Sequence, residues 1–417
     1  MRRAITPPAD EWVLLEEEGN AHQLYWRKGS LHAVRDVTSR SARAELYCDQ
    51  GGQRGAATAH LAGDEHDGQR LSDARLAAEL ALNPAYRLPQ GAADYPAIAL
   101  GDEALPSRDA LESWGSALHR AAAEAGVHLS TLEVFAERQH HQLEASNGRS
   151  HAWDAVHYAA DVILSCGEGD AAVELRLSPT SRRLQDLLRA DRLATAAQAV
   201  RDRGGAALPP SGAMPVILPA AELQYLILVL RAHTSAELRY TGALQKQIGD
   251  ALIDCQGDPL TLRMNPLIPH AVASRPTDGS TVPAAARTLI EGGVLRAFHA
   301  TPQFAAYLDL PPTGPLGTLE VSAGTSNYDD LTAQGPVLEV VSFSSNMPDP
   351  LSGDFAAEIK MGYLHQGGRK IPIAQGSVSG NVFTALGHCR MSRETELVDG
   401  YLGPRWIRFQ ALQVAGG

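Results

Sequence analysis

The chain has 417 residues, of which 44% are hydrophobic and 20% are charged, a balance typical of globular proteins with a substantial core. At roughly 100–200 residues per domain, this length predicts two or three domains. The formal net charge is −12, from 36 basic and 48 acidic residues. Because nucleic-acid binding requires a basic surface that neutralises phosphates, this charge argues against a nucleic-acid partner.

The cysteines and the apolar segments exclude further classes of protein. Cys48, Cys166, Cys255 and Cys389 are far apart and form no C-x-x-C pair, so neither a zinc finger nor a redox motif is indicated. The longest aliphatic run, at 223–230, is much shorter than the ~20 residues that cross a bilayer. The N-terminal segment lacks the apolar stretch of a secretory signal. We therefore expect a cytoplasmic protein without a membrane partner.

The first hundred or so residues combine strand patterns with helical patterns. Strand-like alternation at 22–35 and 43–61 precedes a helical pattern at 70–82. A second helix is predicted over 105–126, with Ser107 as its N-cap because a serine oxygen can accept a backbone N–H of the first turn. This part of the chain therefore predicts a mixed region of sheet and helix.

The next segment repeats this combination and ends in a predicted linker. Strands are expected over 130–166, joined by a hairpin turn at Asn147–Gly148, since Asn-Gly is a strong hairpin signal. A third helical stretch covers 181–202. The Gly- and Pro-rich segment 202–215 is interpreted as a linker.

The remainder of the chain is dominated by short strand-sized segments. Over 250–417, helical periodicity is limited to 284–293 and 301–308. We therefore predict an α+β protein, with an N-terminal α/β-type mixed sheet-and-helix region followed by a large, mainly antiparallel β C-terminal domain. The predicted domains are an N-terminal α+β region at 1–100, a middle α+β region at 101–205 and the mainly β domain at 206–417.

The segment ILVLRAHTSAELRY, at 227–240, suggests a metal site. His233 and Glu237 are four residues apart and would share one face of a helix. Zinc catalysis, however, requires three protein ligands and an activated water, and the nearest further candidates are His388 and Cys389.

A core helix without a metal is the other interpretation of the same segment. The apolar residues Leu223, Leu226, Ile227 and Leu230 would bury one side of a helix over 221–238 without any site.

Two adjacent histidines, His140 and His141, form another candidate. On a strand they point to opposite faces and cannot share one ion, so we interpret them as part of a solvated strand face.

Three segments, in order and spacing, resemble the TldD/PmbA (TldE) family. The first, GAMPVILPAAELQYLILVL, covers 212–230. The second, at 265–317, contains a D-x-G turn and an L-I-x-x-G-x-L motif. The third, at 351–386, begins with LSGDF and contains a later G-N pair. The resemblance implies the fold of that family, whose members are understood as peptidases.

The family's zinc motif is the part that this sequence does not match. Active TldD-type subunits carry H-E-x-x-x-H on the corresponding helix, and a cysteine near the C-terminus is their third zinc ligand. If His233 is the first histidine, Thr234 replaces the glutamate and Leu238 the second histidine. The segment 396–406 has no cysteine, and Cys389 precedes it. The resemblance thus implies a TldE/PmbA-type subunit without the zinc motif, with no catalytic residue and no metal or cofactor of its own.

The function implied by the resemblance is that of a non-catalytic subunit in a heterodimeric TldD/TldE-type zinc metallopeptidase, which cleaves small or unfolded peptides. A TldD-type subunit with the HExxxH motif would be the partner and hold the zinc, while this chain would shape the peptide channel. Two alternatives stay open. One is a divergent stand-alone metallohydrolase that uses His233 and Glu237, and the other is a homodimeric peptide-binding scaffold.

Overall fold

The computed structural model describes residues 6–167 and 172–416. Within these residues the strands form three sheets, and helices pack against them. The predicted α+β class is confirmed. How the chain divides into separately folding domains stays a prediction.

The first sheet is eight-stranded and antiparallel, and it includes strands from both the 1–100 and the 101–205 region. Its order is β4-β3-β2-β1-β5-β6-β7, with β8 paired to β6. Gly148, at φ +84°, forms the predicted turn between β5 and β6. The strands are β1 Glu11–Arg27, β2 Ser30–Gln50, β3 Gln53–Leu61, β4 Leu82–Pro84, β5 His128–Ala145, β6 Ser150–Cys166, β7 Val173–Leu177 and β8 Thr180–Ser181.

Helices cover this sheet through their apolar residues. Leu111 and Leu118 pack with Leu132 and Val162 of the sheet in one core cluster. Ser107 caps α2 as predicted, since its Oγ accepts the Ala110 N–H at 3.2 Å. The helices are α1 Asp67–Leu80, α2 Arg108–Glu124, α3 Leu184–Leu187 and α4 Ala190–Arg203.

The single helix predicted over 181–202 is wrong. Leu188 has an extended backbone, with φ −144° and ψ 94°, and separates α3 from α4. The side chains of Leu187 and Leu188 are both buried in the core. Packing of two consecutive leucines has therefore overridden the helical periodicity.

The C-terminal half contains a six-stranded and a seven-stranded sheet, in which most strand pairs are antiparallel. The six-stranded sheet has the order β12-β11-β10-β13-β20-β19. Its strands are β10 Leu262–Asn265, β11 Arg287–Glu291, β12 Val294–Leu295, β13 Thr318–Val321, β19 Thr395–Val398 and β20 Tyr401–Pro404.

The seven-stranded sheet curls back on itself. Its order is β14-β9-β21-β17-β15-β16, β18 pairs with β21, and a further pairing of β14 with β15 closes part of the path into a ring. The strands are β9 Gly212–Pro219, β14 Val337–Ser345, β15 Asp354–Gln366, β16 Arg369–Ile373, β17 Ser377–Asn381, β18 Cys389–Met391 and β21 Trp406–Ala415.

Five helices of the described residues lie in this half. Of the two segments predicted to be helical, 301–308 and 284–293, the second is a strand. Residues 301–308 contain a helix as expected, but 284–293 contain β11, which pairs with β10 and turns through Gly292 and Gly293 at positive φ. The helices are α5 Ala220–His233, α6 Ala236–Tyr240, α7 Pro302–Tyr307, α8 Tyr328–Thr332 and α9 Val382–Gly387.

Candidate functional site

The helix α5 lies in the core of the C-terminal half. Leu226, Ile227 and Leu230 have no solvent exposure, which confirms the predicted buried stripe. Glu222 in the first turn is also buried, and its carboxylate accepts the Phe343 N–H at 3.0 Å and the Asn346 side-chain amide at 3.1 Å. Burial raises the pKa of Glu222. These contacts fasten α5 to the end of β14.

The continuous helix predicted over 221–238 is wrong, because α5 ends at His233. The Thr234 carbonyl accepts the His299 N–H at 2.7 Å, and Ser235 forms a parallel bridge with His299. Ser235 is extended and begins a new short helix, where its Oγ accepts the Leu238 N–H at 3.3 Å. His233 and Glu237 therefore do not share the face of one helix.

The imidazole of His233 is engaged by neighbours from the C-terminal sheet region. Its Nε2 lies 2.9 Å from the Leu351 carbonyl oxygen, which can only accept, so Nε2 carries the proton. The Phe383 ring packs edge-on at 4.6 Å between centroids. Burial lowers the pKa of His233, so the ring is neutral at pH 7.

The other positions of the candidate motif offer no further ligand there. Thr234 is fully buried, and its hydroxyl donates to the Arg231 carbonyl at 2.9 Å. Leu238 has no ligand atom in its side chain, and Glu237 is exposed to solvent on α6. The donor set at the end of α5 therefore does not fit zinc, which requires three or four N, O or S ligands.

The more distant candidates do not complete the site. His388 is exposed, whereas Cys389 is fully buried on β18, where burial raises the pKa of its thiol to about 12. Within residues 6–167 and 172–416, no three His, Cys, Asp or Glu side chains are grouped so that they could hold a metal ion.

The two adjacent histidines on β5 have different surroundings. His140 is exposed and its Nδ1 lies 3.0 Å from Asp154 Oδ1, as expected for a solvated face. His141 is different: its side chain is only 12% exposed and stacks on Trp153 at 4.9 Å between ring centroids. The prediction of a solvated face is therefore wrong for His141.

His141 faces a cleft of about 280 Å³ between the first sheet and the segment 274–279. Glu17, His141 and Trp153 lie opposite one another on β1, β5 and β6 and form part of its lining. The sequence analysis missed this cleft, because its lining comes from segments far apart in the chain. In the sequence, the features that could have indicated this cleft were the strand alternation and the D-x-G turn.

The fold and the position of α5 define the class of protein: it is an α+β protein whose mainly antiparallel C-terminal half surrounds a buried helix. Residues 211–416 match the family model described as the PmbA/TldA metallopeptidase C-terminal domain. The segment 211–416 therefore belongs to the TldD/PmbA family, as the sequence resemblance indicates.

A protein from an archaeon matches part of the chain in sequence. The chain is 26% identical over 183 residues to the uncharacterized protein MJ0231 of Methanocaldococcus jannaschii. That match covers 40% of this chain and 42% of the relative, so the chain spans less than half of that protein.

Solved structures are similar over nearly the whole chain. TldE from Thermococcus kodakarensis has a TM-score of 0.82 at 17% identity, covering 98% of this chain and 97% of that one. The protein TM0727 of Thermotoga maritima, described as a proposed modulator of a DNA gyrase, has a TM-score of 0.80 at 18% identity, covering 97% and 96%. At these identities the likeness shows the fold.

In the described part of the chain, none of the helices combines the length and apolar character needed to cross a membrane.

Proposed function

We propose that this chain is the non-catalytic subunit of a TldD/TldE-type heterodimeric zinc peptidase that cleaves small or unfolded peptides. A TldD-type partner with the HExxxH motif holds the zinc and performs the chemistry. This chain closes the chamber and forms part of the path that the peptide follows, in the cytoplasm.

The observation that carries this proposal is the end of α5. There the imidazole of His233 donates to a backbone carbonyl, the hydroxyl of Thr234 is used within its own helix, and Leu238 has no ligand atom. A peptidase site of the zinc type needs three ligands and a general base or a metal-bound water. A structural role in a two-chain enzyme reconciles membership of a metallopeptidase family with this arrangement.

Exposed apolar side chains support a role in assembly. Tyr225 and Leu228, one turn apart on the outer side of α5, are 42% and 45% exposed. Met347 and Leu351, in the loop after β14, are 86% and 47% exposed. Large apolar side chains held in water are typical of surfaces that a partner covers.

The proposal is tested by mixing the chain with a TldD-type partner and measuring mass and metal together. We expect a one-to-one complex in size-exclusion chromatography with light scattering, and one zinc per complex by elemental analysis. The isolated chain should contain no stoichiometric zinc after dialysis. His233→Ala, and the matched control His388→Ala, should leave the zinc content of the complex unchanged.

Two outcomes would contradict the proposal. One zinc per isolated chain that is lost on His233→Ala would favour a divergent stand-alone metallohydrolase. A stable dimer of this chain that excludes the partner would favour a homodimeric peptide-binding scaffold.

A further inference from the structure

The cleft between the first sheet and the segment 274–279 has three arginines in its lining: Arg43, Arg182 and Arg275. Arg43 has a carboxylate partner, since its Nη2 lies 3.4 Å from Glu45 Oε1. The other two guanidiniums have no such partner within the residues that the structure describes. They are the cations of the cleft that are left to interact with a ligand.

Arg182 is held by backbone carbonyls only. Its two Nη groups donate to Val156 O at 3.3 Å and to Val272 O at 2.9 Å. Its Nε is buried and lacks an acceptor among the described residues. Burial and the nearby positive charge of Arg275 lower the pKa of Arg182 to about 10. Placing two cations close together without a carboxylate between them costs free energy, and a bound anion would reduce that cost.

The Arg275 guanidinium is exposed and makes no hydrogen bond or ion pair with any residue in 6–167 or 172–416. His141, Arg182 and Arg275 line the same cleft, and the positive charges of the two arginines contribute to lowering the pKa of His141. Burial is the largest cause of that lowering, and His141 is therefore neutral at pH 7.

The carboxylates in the lining determine which ligand charge the cleft favours. Glu17 Oε1 lies 3.2 Å from His141 Nδ1, and Asp278 accepts the Ser280 N–H at 2.9 Å. Together with Glu45, which pairs with Arg43, three carboxylates balance the three guanidiniums when His141 is neutral. A lining without a net positive charge does not favour a phosphate dianion and fits a single carboxylate better.

The wall of the cleft is held in place before any ligand arrives. The Thr277 hydroxyl is buried and donates to Val282 O at 2.9 Å, and Thr281 O accepts from Arg149 Nη1 at 2.8 Å and from Tyr95 Oη at 3.0 Å. The wall lies close to the sheet at Gly279, where a Cβ would be 2.8 Å from Arg43 Nη2. A preorganised site loses less entropy on binding.

Aromatic side chains form part of the floor of the cleft. His141 and Trp153 both line it and stack at 4.9 Å between ring centroids. Outside the lining, Trp153 stacks on His151 at 5.7 Å and His151 on Tyr95 at 4.7 Å. The Trp153 ring offers apolar contact area in the same cleft as the cations, suited to a ligand that carries an apolar group next to its anion.

We propose that Arg182 and Arg275 bind the carboxylate of a small peptide ligand in this cleft, with Trp153 contacting the adjacent residue. Guanidiniums bind carboxylates with paired hydrogen bonds, which gives both affinity and direction. The carboxylate could belong to the C-terminus of a peptide or to an acidic side chain, and the experiment separates these sources. The site is defined on this chain alone and does not depend on a partner subunit.

The test measures binding of three dansyl peptides to the full-length chain by fluorescence anisotropy. The first is dansyl-Ala-Ala-Phe with a free C-terminus, the second is its amide, and the third is dansyl-Ala-Glu-Phe amide. We expect the free acid to bind at least about tenfold more tightly than the amide, the size of effect expected for a charged hydrogen-bonded pair. Tighter binding of the Glu-containing amide than of both alanine peptides would assign the site to acidic side chains, and equal binding of that amide and the free acid would show that either carboxylate is accepted.

Variants locate the binding site. Arg275→Gln changes an exposed side chain and should weaken binding of the free acid by about tenfold or more. Arg182→Gln should do the same, with circular dichroism as a check that it folds. Arg296→Gln is the matched control, because Arg296 is exposed and pairs with Glu291 outside the cleft.

Three results would overturn the proposal: no binding of any peptide, equal binding of all three peptides, or a loss that Arg296→Gln reproduces. Displacement of the peptide by inorganic phosphate at lower concentration than by acetate would contradict the preference for a monoanion. None of these results bears on zinc content or complex formation, so the two proposals fail separately.

Discussion

His233 is held in place by a backbone carbonyl and an aromatic ring, and the neighbouring motif positions Thr234 and Leu238 supply no further ligand. Leu351 O accepts its Nε2 proton at 2.9 Å, and Phe383 packs against it. Because burial also lowers the pKa of His233, the side chain is a neutral hydrogen-bond donor at pH 7. At the scale of residues, the fold thus uses this histidine to hold the loop 346–353 against the end of α5.

Glu339 provides a pH-dependent prediction at the same scale. Its buried carboxylate lies 2.8 Å from His365 Nε2 and 3.0 Å from Lys370 Nζ. Although burial opposes ionisation, these partners together lower the pKa of Glu339 below 4.5. The carboxylate therefore stabilises the fold above pH 4.5, and this contribution is lost as the pH falls through the lowered value.

We predict that Glu339→Gln lowers the free energy of unfolding by about 2 kcal/mol at pH 7 and by clearly less at pH 3, because only the charged form has its charged hydrogen bonds. Urea unfolding at both pH values is the measurement. Glu291→Gln, at an exposed site, should change stability by less than about 0.5 kcal/mol at either pH. If Glu339→Gln lowered the free energy of unfolding equally at both pH values, the charged hydrogen bonds would not be the source of the stability.

At the scale of elements, α5 is stabilised by burial of one side and by its connection to β14. Leu223, Leu226, Ile227 and Leu230 belong to the large core cluster of the C-terminal half, whereas Leu228 on the same helix is 45% exposed. The helix is therefore a core element whose end is defined by contacts with other segments.

Two substitutions on α5 compare the stability contribution of a buried leucine with that of an exposed one. Leu230→Ala should lower the free energy of unfolding by about 2–5 kcal/mol, because it leaves a cavity in a fully packed region. Leu228→Ala removes the same atoms from an exposed position and should cost less than about 1 kcal/mol. Chemical denaturation of both variants is the measurement. Similar losses for the two would show that α5 is not packed as described.

Local signals in the sequence predicted elements whose causes are local. The cap at Ser107, the turn at Gly148 and the stripe around Leu226 each depend on residues a few positions apart. The break after His233 was not predictable in this way, because it depends on pairing of Ser235 with His299. The strand β11 was missed for the same reason, since its partner β10 is distant in the chain.

Across the whole molecule, the local distribution of charge is more informative about ligand binding than the net charge. The chain has a formal net charge of −12, yet the lining of the cleft beside Trp153 contains three arginines. Composition excluded a large basic surface but could not reveal this local concentration, which brings Arg43, Arg182 and Arg275 together from separate segments. The match of residues 211–416 to the family model and the buried position of α5 agree with the fold that the sequence resemblance implies.

The proposed role of the chain, which is to assist peptide cleavage without performing it, can be measured as the rate of cleavage of an internally quenched peptide in four samples. These are this chain alone, a TldD-type partner alone, the mixture, and the mixture containing His233→Ala. We predict no hydrolysis by this chain alone and zinc-dependent hydrolysis by the mixture. The His233→Ala mixture should stay within about threefold of it, because a lone histidine supplies neither ligand set nor base.

Replacing the first histidine of the partner's HExxxH motif should abolish cleavage by the mixture, which identifies the chain that performs the chemistry. Robust zinc-dependent hydrolysis by this chain alone, lost on His233→Ala, would contradict the account.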